Sequence, residues 1–202
     1  MRTIPHLQEI PDDKVIWQRF LAGEADAFER LMTLHFRTLF HYGSKFSKDK
    51  EFVKDNIQDL FLVLWERRQN LSSDIVVKPY MMASLRRLMH RNAKSKPLLS
   101  DYPFEDYNGD FEIEFSVEEE YIENESSLVL TQKLKRLLDE LPERQKEVIY
   151  LKFFQEMDRG QISEIMNISP QTVSNLLQIA IKQLKRYWKV EFLTLLLIHF
   201  FV

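Results

Sequence analysis

Polar side chains recur at helical spacing in the last third of the chain. They stand at i, i+3, i+4, i+7 and i+11, and so share one face of a helix: Gln171, Ser174, Asn175, Gln178 and Lys182. Amide and hydroxyl groups on such a face can exchange hydrogen bonds with base edges in the major groove, and a lysine can bind phosphate. Thr172 adds a further hydroxyl. We predict a DNA-reading helix, the alternative being a solvated face of an ordinary helical hairpin.

A second candidate surface combines basic side chains with an aromatic ring. Arg87, Arg91 and Lys94 are spaced i, i+4 and i+7 on a helix predicted from about 79 to 94. The apolar stripe of that helix, Met82, Leu85 and Met89, is predicted to face the core. The full candidate set is Lys78, Tyr80, Arg86, Arg87, His90, Arg91 and Lys94. Positive charge can follow a nucleic-acid backbone while a ring stacks on an unpaired base. A solvated charged face is the alternative interpretation.

A third candidate surface is typical of protein docking. A helix predicted from about 53 to 68 has one apolar stripe, formed by Ile57, Leu60, Phe61, Leu64 and Trp65. Its opposite face carries an apolar residue inside a polar rim: Asp55, Gln58, Asp59, Leu62 and Glu66. Such a face indicates a protein partner, although single surface leucines are common.

The sequence gives little support for a catalytic, metal or cofactor site. The chain has no cysteine, and its five histidines lack partners at metal-ligand spacing. We also find no glycine-rich phosphate loop and no nucleophile motif. We therefore predict neither an enzyme nor a cofactor, metal or small-molecule substrate, and we expect a reducing cytoplasmic location. The first seven residues lack the apolar core of a secretory signal.

The elements that position these residues are predicted to be helices throughout. Near the start, Asp26 can cap a short helix whose apolar residues Phe28, Leu31 and Met32 are predicted to face the core. Only four glycines and seven prolines interrupt the chain, too few for the turns of a β-sandwich or barrel. Near the end, a helix opening at Pro142 and running to about Phe154 precedes a short helix at 161–166. Ser169 can then cap a helix that starts at Pro170 and runs to about Trp188. A short helix, a turn and a capped longer helix form the helix-turn-helix pattern.

Charge divides the 202-residue chain. The formal net charge is −3, but no lysine or arginine occurs between Lys96 and Lys133, where eleven acidic residues stand. We interpret 98–126 as an acidic linker between two helical domains, at 12–97 and 127–189. Residues 1–11 form an N-terminal tail, and 190–202 form a hydrophobic tail that is too short to span a bilayer. We expect that tail to continue the last helix or to meet a regulatory partner, or else to be dispensable.

Three segments resemble one protein family. Asp55-Asn-Ile-Gln-Asp-Leu-Phe-Leu-Val-Leu-Trp65 resembles the polymerase-binding segment of region 2 in extracytoplasmic-function (ECF) sigma factors. Leu141-Pro-Glu-Arg-Gln-Lys-Glu-Val-Ile149 is similar to the opening of their region 4, and 162–185 is similar to its helix-turn-helix. The matches stand in family order with an acidic linker between them, and together they cover roughly residues 12–189.

The resemblance implies a role for each surface. Asp55 to Glu66 would dock on core RNA polymerase, Lys78 to Lys94 would engage the minus-ten element, and Gln171 to Lys182 would read the minus-thirty-five element. The acidic linker would thread the polymerase near the RNA exit path. An anti-sigma factor is a further partner to consider. Where many members carry Arg or Lys, this chain has Ser174 and Ile179, which implies fewer phosphate contacts.

Two functions therefore remain open at this stage. The first is a sigma factor that binds core polymerase, recognises both promoter elements and promotes DNA opening. The second is a helix-turn-helix transcriptional regulator that acts without direct binding to core polymerase.

Overall fold

The computed structural model describes residues 12–95, 111–113 and 134–187. Within these ranges every regular element is helical, as predicted. The predicted tails at 1–11 and 190–202, and the linker at 98–126 apart from 111–113, lie outside the described residues.

Four helices form what we call the N-terminal unit, residues 12–95. They are α1 (Asp13–Leu21), α2 (Ala25–Gly43), α3 (Lys50–Arg67) and α4 (Val77–Ser95), with a 3₁₀ turn at Arg68–Asn70 after α3. Trp17, Phe20, Leu39 and Leu85 are among its fully buried side chains. The indole Nε1 of Trp17 donates a 3.0 Å hydrogen bond to the carbonyl of Ser72, which ties the loop before α4 to α1.

The predicted apolar stripes are confirmed on two of these helices. On α3, four of the five stripe residues are buried and Trp65 is partly buried against the same core. On α4, Met82, Leu85 and Met89 are all buried. Hydrophobic periodicity thus identified which side of each helix faces inward.

Two local expectations for α2 are wrong. Asp26 was expected to cap the helix, but the helix already begins at Ala25, and the Asp26 carboxylate binds Arg19 at 2.7 Å. Gly23, with φ +90°, turns the chain early enough for Glu24 to occupy the cap position. Met32 was expected inside beside Leu31, yet it is 38% exposed because Leu31 and His35 take the inward face.

The C-terminal unit, residues 134–187, contains the remaining helices. They are a segment at 134–139 (α5), α6 (Glu143–Ile149), α7 (Arg159–Met166) and α8 (Pro170–Tyr187). Pro142 stands at the cap of α6, and the helix widens into a π turn at Tyr150–Phe154. The helix reaches Phe154, as predicted. It is an α-helix only as far as Ile149 and a π-helix from Tyr150 to Phe154.

The helix-turn-helix is present where the sequence predicts it. The Ser169 hydroxyl accepts a 3.1 Å hydrogen bond from the amide of Thr172, as an N-cap does, and Pro170 is the first helical residue. Asp158 lies at the cap of α7, where it forms a reciprocal capping box with Gln161 at 2.9 Å in both directions. Asn167 ends α7 in the left-handed region, with φ 53°.

The two units pack against each other, with α4 lying on α7. Their buried side chains belong to one continuous hydrophobic cluster, which includes Tyr42 from the first unit and Tyr150 from the second. Phe111 and Ile113 are buried in the same cluster.

Candidate nucleic-acid and docking interfaces

The predicted reading face of α8 is directed outward. Gln171, Asn175, Gln178 and Lys182 are exposed, whereas Thr172 and Ser174 are partly buried. The Gln171 amide donates to the Asn175 amide oxygen at 3.1 Å, which aligns two hydrogen-bonding groups along the helix.

Packing of the opposite, apolar face of α8 keeps the reading face directed outward. Val173 and Ala180 are fully buried, and Leu177 and Leu184 are partly buried against the same core. Ile179 is 47% exposed at the side of the reading face. It offers apolar contact where a cation would offer charge.

The predicted docking face of α3 is also directed outward. Its five members are all exposed: Asp55, Gln58, Asp59, Leu62 and Glu66. Leu62 is 58% exposed, which is high for a leucine in the middle of a folded helix. The apolar residue thus lies within a polar rim, as the spacing predicted.

The basic set on α4 is divided between solvent and the protein interior. Arg87 and Arg91 are exposed, and the Arg87 guanidinium reaches the Ser84 hydroxyl at 3.1 Å. The side chain of Lys94 lies outside what the structure describes.

The other four members of the α4 set contact protein. Arg86 donates to both carboxylate oxygens of Glu147, from Nε at 2.8 Å and from Nη2 at 3.1 Å. Lys78 Nζ lies 3.4 Å from the carbonyl oxygen of Gln155. Tyr80 packs edge-on against Trp17, with ring centroids 5.9 Å apart, and His90 packs in the same way on Phe46 at 5.7 Å.

Glu147 is a functional candidate that the sequence did not reveal. It is 3% exposed, and besides Arg86 it accepts a 2.7 Å hydrogen bond from the Tyr42 hydroxyl. Its neighbours in sequence suggest only an ordinary amphipathic helix, because both partners lie more than 60 residues away, at separations of 61 and 105. No residue pattern within one helix predicts that Glu147 contacts Arg86 and Tyr42.

Burial and charge shift the protonation of this cluster in a consistent direction. Burial raises the pKa of Tyr42 well above its usual value, and the adjacent Glu147 carboxylate raises it further. Burial alone would lower the pKa of Arg86, but the Glu147 carboxylate outweighs burial and raises it. Arg86 is therefore charged and Tyr42 neutral at physiological pH.

Metal sites and membrane-spanning helices are both absent from the described residues. No group of three or more His, Cys, Asp or Glu side chains there is arranged to hold a metal ion. None of the described helices is long and apolar enough to cross a membrane.

Comparison with known proteins gives one family match and a shared fold. Residues 131–184 match the family model for sigma-70, region 4. A chain in the structure of CnrH in complex with the cytosolic domain of CnrY is similar at TM-score 0.57 and 17% identity, over 87% of this chain and 96% of that chain. This likeness shows that the two share a fold.

A chain in the RsbN–BldN complex is also similar, at 18% identity over 85% of this chain and 99% of that chain. The TM-score of that match is 0.35. No curated protein matches the chain. The comparisons therefore show that 131–184 is similar to sigma-70, region 4, and that the chain shares its fold with the chain in the CnrH structure.

Proposed function

We propose that the chain is a sigma factor of the ECF type, which binds core RNA polymerase through the exposed face of α3 and brings it to promoters. The basic residues of α4 engage the minus-ten element, and α8 reads the minus-thirty-five element. DNA opening is driven by binding energy, without catalysis by this chain and without a cofactor, and it takes place in the cytoplasm.

The observation that carries this proposal is the simultaneous exposure of two different faces. The α3 face is an apolar residue in an acidic and amide rim, which suits a protein partner with complementary charge. The α8 face offers amides and a lysine, which suit a DNA groove. A chain with both faces exposed can hold polymerase and DNA together.

The central experiment mixes the purified chain with sigma-free core polymerase and measures association and initiation at defined start sites. We expect stable association and discrete transcripts. Binding of duplex DNA with no affinity for core polymerase would instead support a helix-turn-helix regulator.

A matched pair of substitutions tests the docking face. Leu62→Asp places a charge at the centre of the face, so association with core polymerase should weaken at least about tenfold. Val76→Asp is the control, because Val76 is 59% exposed against 58% for Leu62 but lies outside the face. Equal effects from both substitutions would refute α3 as the docking helix.

An anti-sigma factor is a further proposed partner. The similar fold of CnrH was determined in complex with the cytosolic domain of CnrY, so this fold can bind a second protein. A partner of the present chain that covers Leu62 would compete with core polymerase. Addition of such a partner should therefore lower polymerase association in proportion to its own occupancy.

A further inference from the structure

One apolar side chain stands among the polar groups of the reading face of α8. Ile179 is 47% exposed, and within the described residues 134–187 it is the one large hydrophobic side chain that is exposed. It follows Asn175 by four residues and precedes Lys182 by three, so the three are neighbours on the helix surface. We propose that Ile179 is a specificity residue of α8, which packs on the 5-methyl group of a thymine in the major groove. This inference rests on the DNA-reading function proposed for α8.

Packing within the protein explains the other apolar residues of α8 but not Ile179. Val173 and Ala180 are fully buried, and Leu177 and Ile181 are partly buried against the same core. Single exposed apolar residues are common on protein surfaces, so exposure by itself does not indicate a ligand. The position of Ile179 beside hydrogen-bonding side chains does, because a base edge offers polar atoms and an apolar methyl group side by side.

The amide one turn before Ile179 is oriented as a hydrogen-bond donor. Gln171 donates to the side-chain oxygen of Asn175 at 3.1 Å, so Asn175 meets a base through its N–H groups. Asn175 and Ile179 are about 6 Å apart along the helix axis, at about 1.5 Å per residue. Because bases are stacked about 3.4 Å apart, the two side chains reach the same base pair or adjacent ones.

Thymine is the base that complements this pair of side chains. Its major-groove edge presents an acceptor, O4, beside the C5 methyl group. Cytosine presents a donor in place of that acceptor, and neither purine carries a methyl group. An amide donor followed one turn later by a branched apolar side chain therefore favours thymine over the other three bases.

A methyl contact differs from a cationic contact in its response to salt. A lysine bound to a phosphate releases counterions, so its contribution to affinity falls as the salt concentration rises. An isoleucine packed on a methyl group neutralises no phosphate. The contribution of Ile179 should therefore be the same at all salt concentrations, whereas that of Lys182 should fall.

The test selects duplexes from a random DNA library with the full chain at low salt. Each thymine of the preferred site is then replaced by deoxyuridine, which lacks only the methyl group. We expect one replacement to weaken binding about fourfold at every salt concentration, as for the loss of one buried methyl or methylene group. In Ile179→Ala the same replacement should have no effect. Val15→Ala on α1 is the control, because Val15 is 48% exposed against 47% for Ile179 and lies in the other unit.

A second substitution tests the same position with the opposite chemistry. In Ile179→Arg a guanidinium can bind O6 and N7 of guanine together. The selected base at this position should therefore change from thymine to guanine, while the rest of the preferred site is kept. A selection that still returns thymine would show that the side chain at 179 does not choose this base.

Three further results would overturn the inference. If no deoxyuridine replacement distinguishes the natural chain from Ile179→Ala, α8 reads DNA without a methyl contact at Ile179, and the function proposed for α8 stands. If Val15→Ala removes the methyl effect as well, the effect does not arise at Ile179. If the chain binds core polymerase but selects no preferred sequence, DNA reading by α8 fails and the inference fails with it. The first and third results distinguish a failure of the inference from a failure of the proposed function.

Discussion

Glu147 and Arg86 form a two-point ion pair between helices of different units, with N···O distances of 2.8 and 3.1 Å. Glu147 is almost wholly buried, so its charge is compensated by Arg86 and by the hydroxyl of Tyr42 rather than by water. Removing one member of such a pair leaves the other as an uncompensated buried charge, which is more costly than replacing both.

The pair should therefore be strongly coupled in stability. Glu147→Leu and Arg86→Met should each lower the free energy of unfolding by up to about 3–5 kcal/mol. The double substitution should lose less than the sum of the two, with a coupling of about 1–3 kcal/mol. Denaturant unfolding of all four proteins measures this coupling, and strictly additive losses would show that the pair contributes nothing of its own.

The buried histidine of α2 should make stability depend on pH. His35 is 6% exposed, and burial lowers its pKa, helped by the charge of Lys78 and opposed by Asp13, whose carboxylate lies 3.4 Å away. Below the ordinary histidine pKa of 6.5, the unfolded chain takes up a proton that the folded chain resists. This contribution to stability is thus full above pH 6.5 and is lost as the pH falls toward the lowered pKa.

Substitution isolates this contribution. Between about pH 7 and pH 5 the stability of the natural chain should fall, by at most about 1.4 kcal/mol per pH unit from one proton. His35→Gln should flatten that slope. His41→Gln, at an exposed position of the same helix, should leave it unchanged. Equal slopes in all three proteins would mean that His35 titrates alike in the folded and unfolded chain.

Gly43 should not tolerate even a methyl group. A Cβ there would lie 2.7 Å from Cγ1 of Val53 and 3.3 Å from the sulfur of Met89, so α2 could not pack as closely on α3 and α4. We expect Gly43→Ala to destabilise the protein by about 1–3 kcal/mol, despite the better helix propensity of alanine. In the Val53→Ala background the same change should cost less, and thermal unfolding of the four chains checks this.

Asn175 and Lys182 should affect DNA binding in different ways. Lys182→Gln should weaken binding about equally for all sequences and reduce the slope of log K against log salt by about 0.9, as expected for one lost phosphate contact. Asn175→Ala should instead change the preference for bases by about 1–3 kcal/mol at one position. Lys135→Gln, an exposed lysine outside α8, serves as the control. Binding titrations on a panel of duplexes at several salt concentrations separate these effects.

Local patterns predicted the helices well because the information for them is local. The stripe from Ile57 to Trp65 and the Ser169-Pro170 start of α8 depend on residues within two turns of each other, and both are confirmed. The predictions for Asp26 and Met32 were wrong by one or two residues: the cap of α2 is Glu24, two residues before Asp26, and Leu31, next to Met32, takes the inward position.

Whether a polar side chain faces solvent or a partner was less predictable. Arg86 and Arg87 are adjacent and chemically identical, yet Arg87 is exposed and Arg86 is held by Glu147. Helical spacing separates the two only by rotation around α4. Which of them meets another helix depends on where α6 and α7 are packed.

The sequence by itself determined the all-helical class, the helix-turn-helix and the outward faces of α3 and α8, because each follows from residue spacing along a single helix. Only the tertiary structure decided that the two units lie together, and that Tyr42, Arg86, Phe111 and Glu147 meet between them. A contact between residues 61 or 105 positions apart depends on how whole helices pack, and no periodicity within one helix records it.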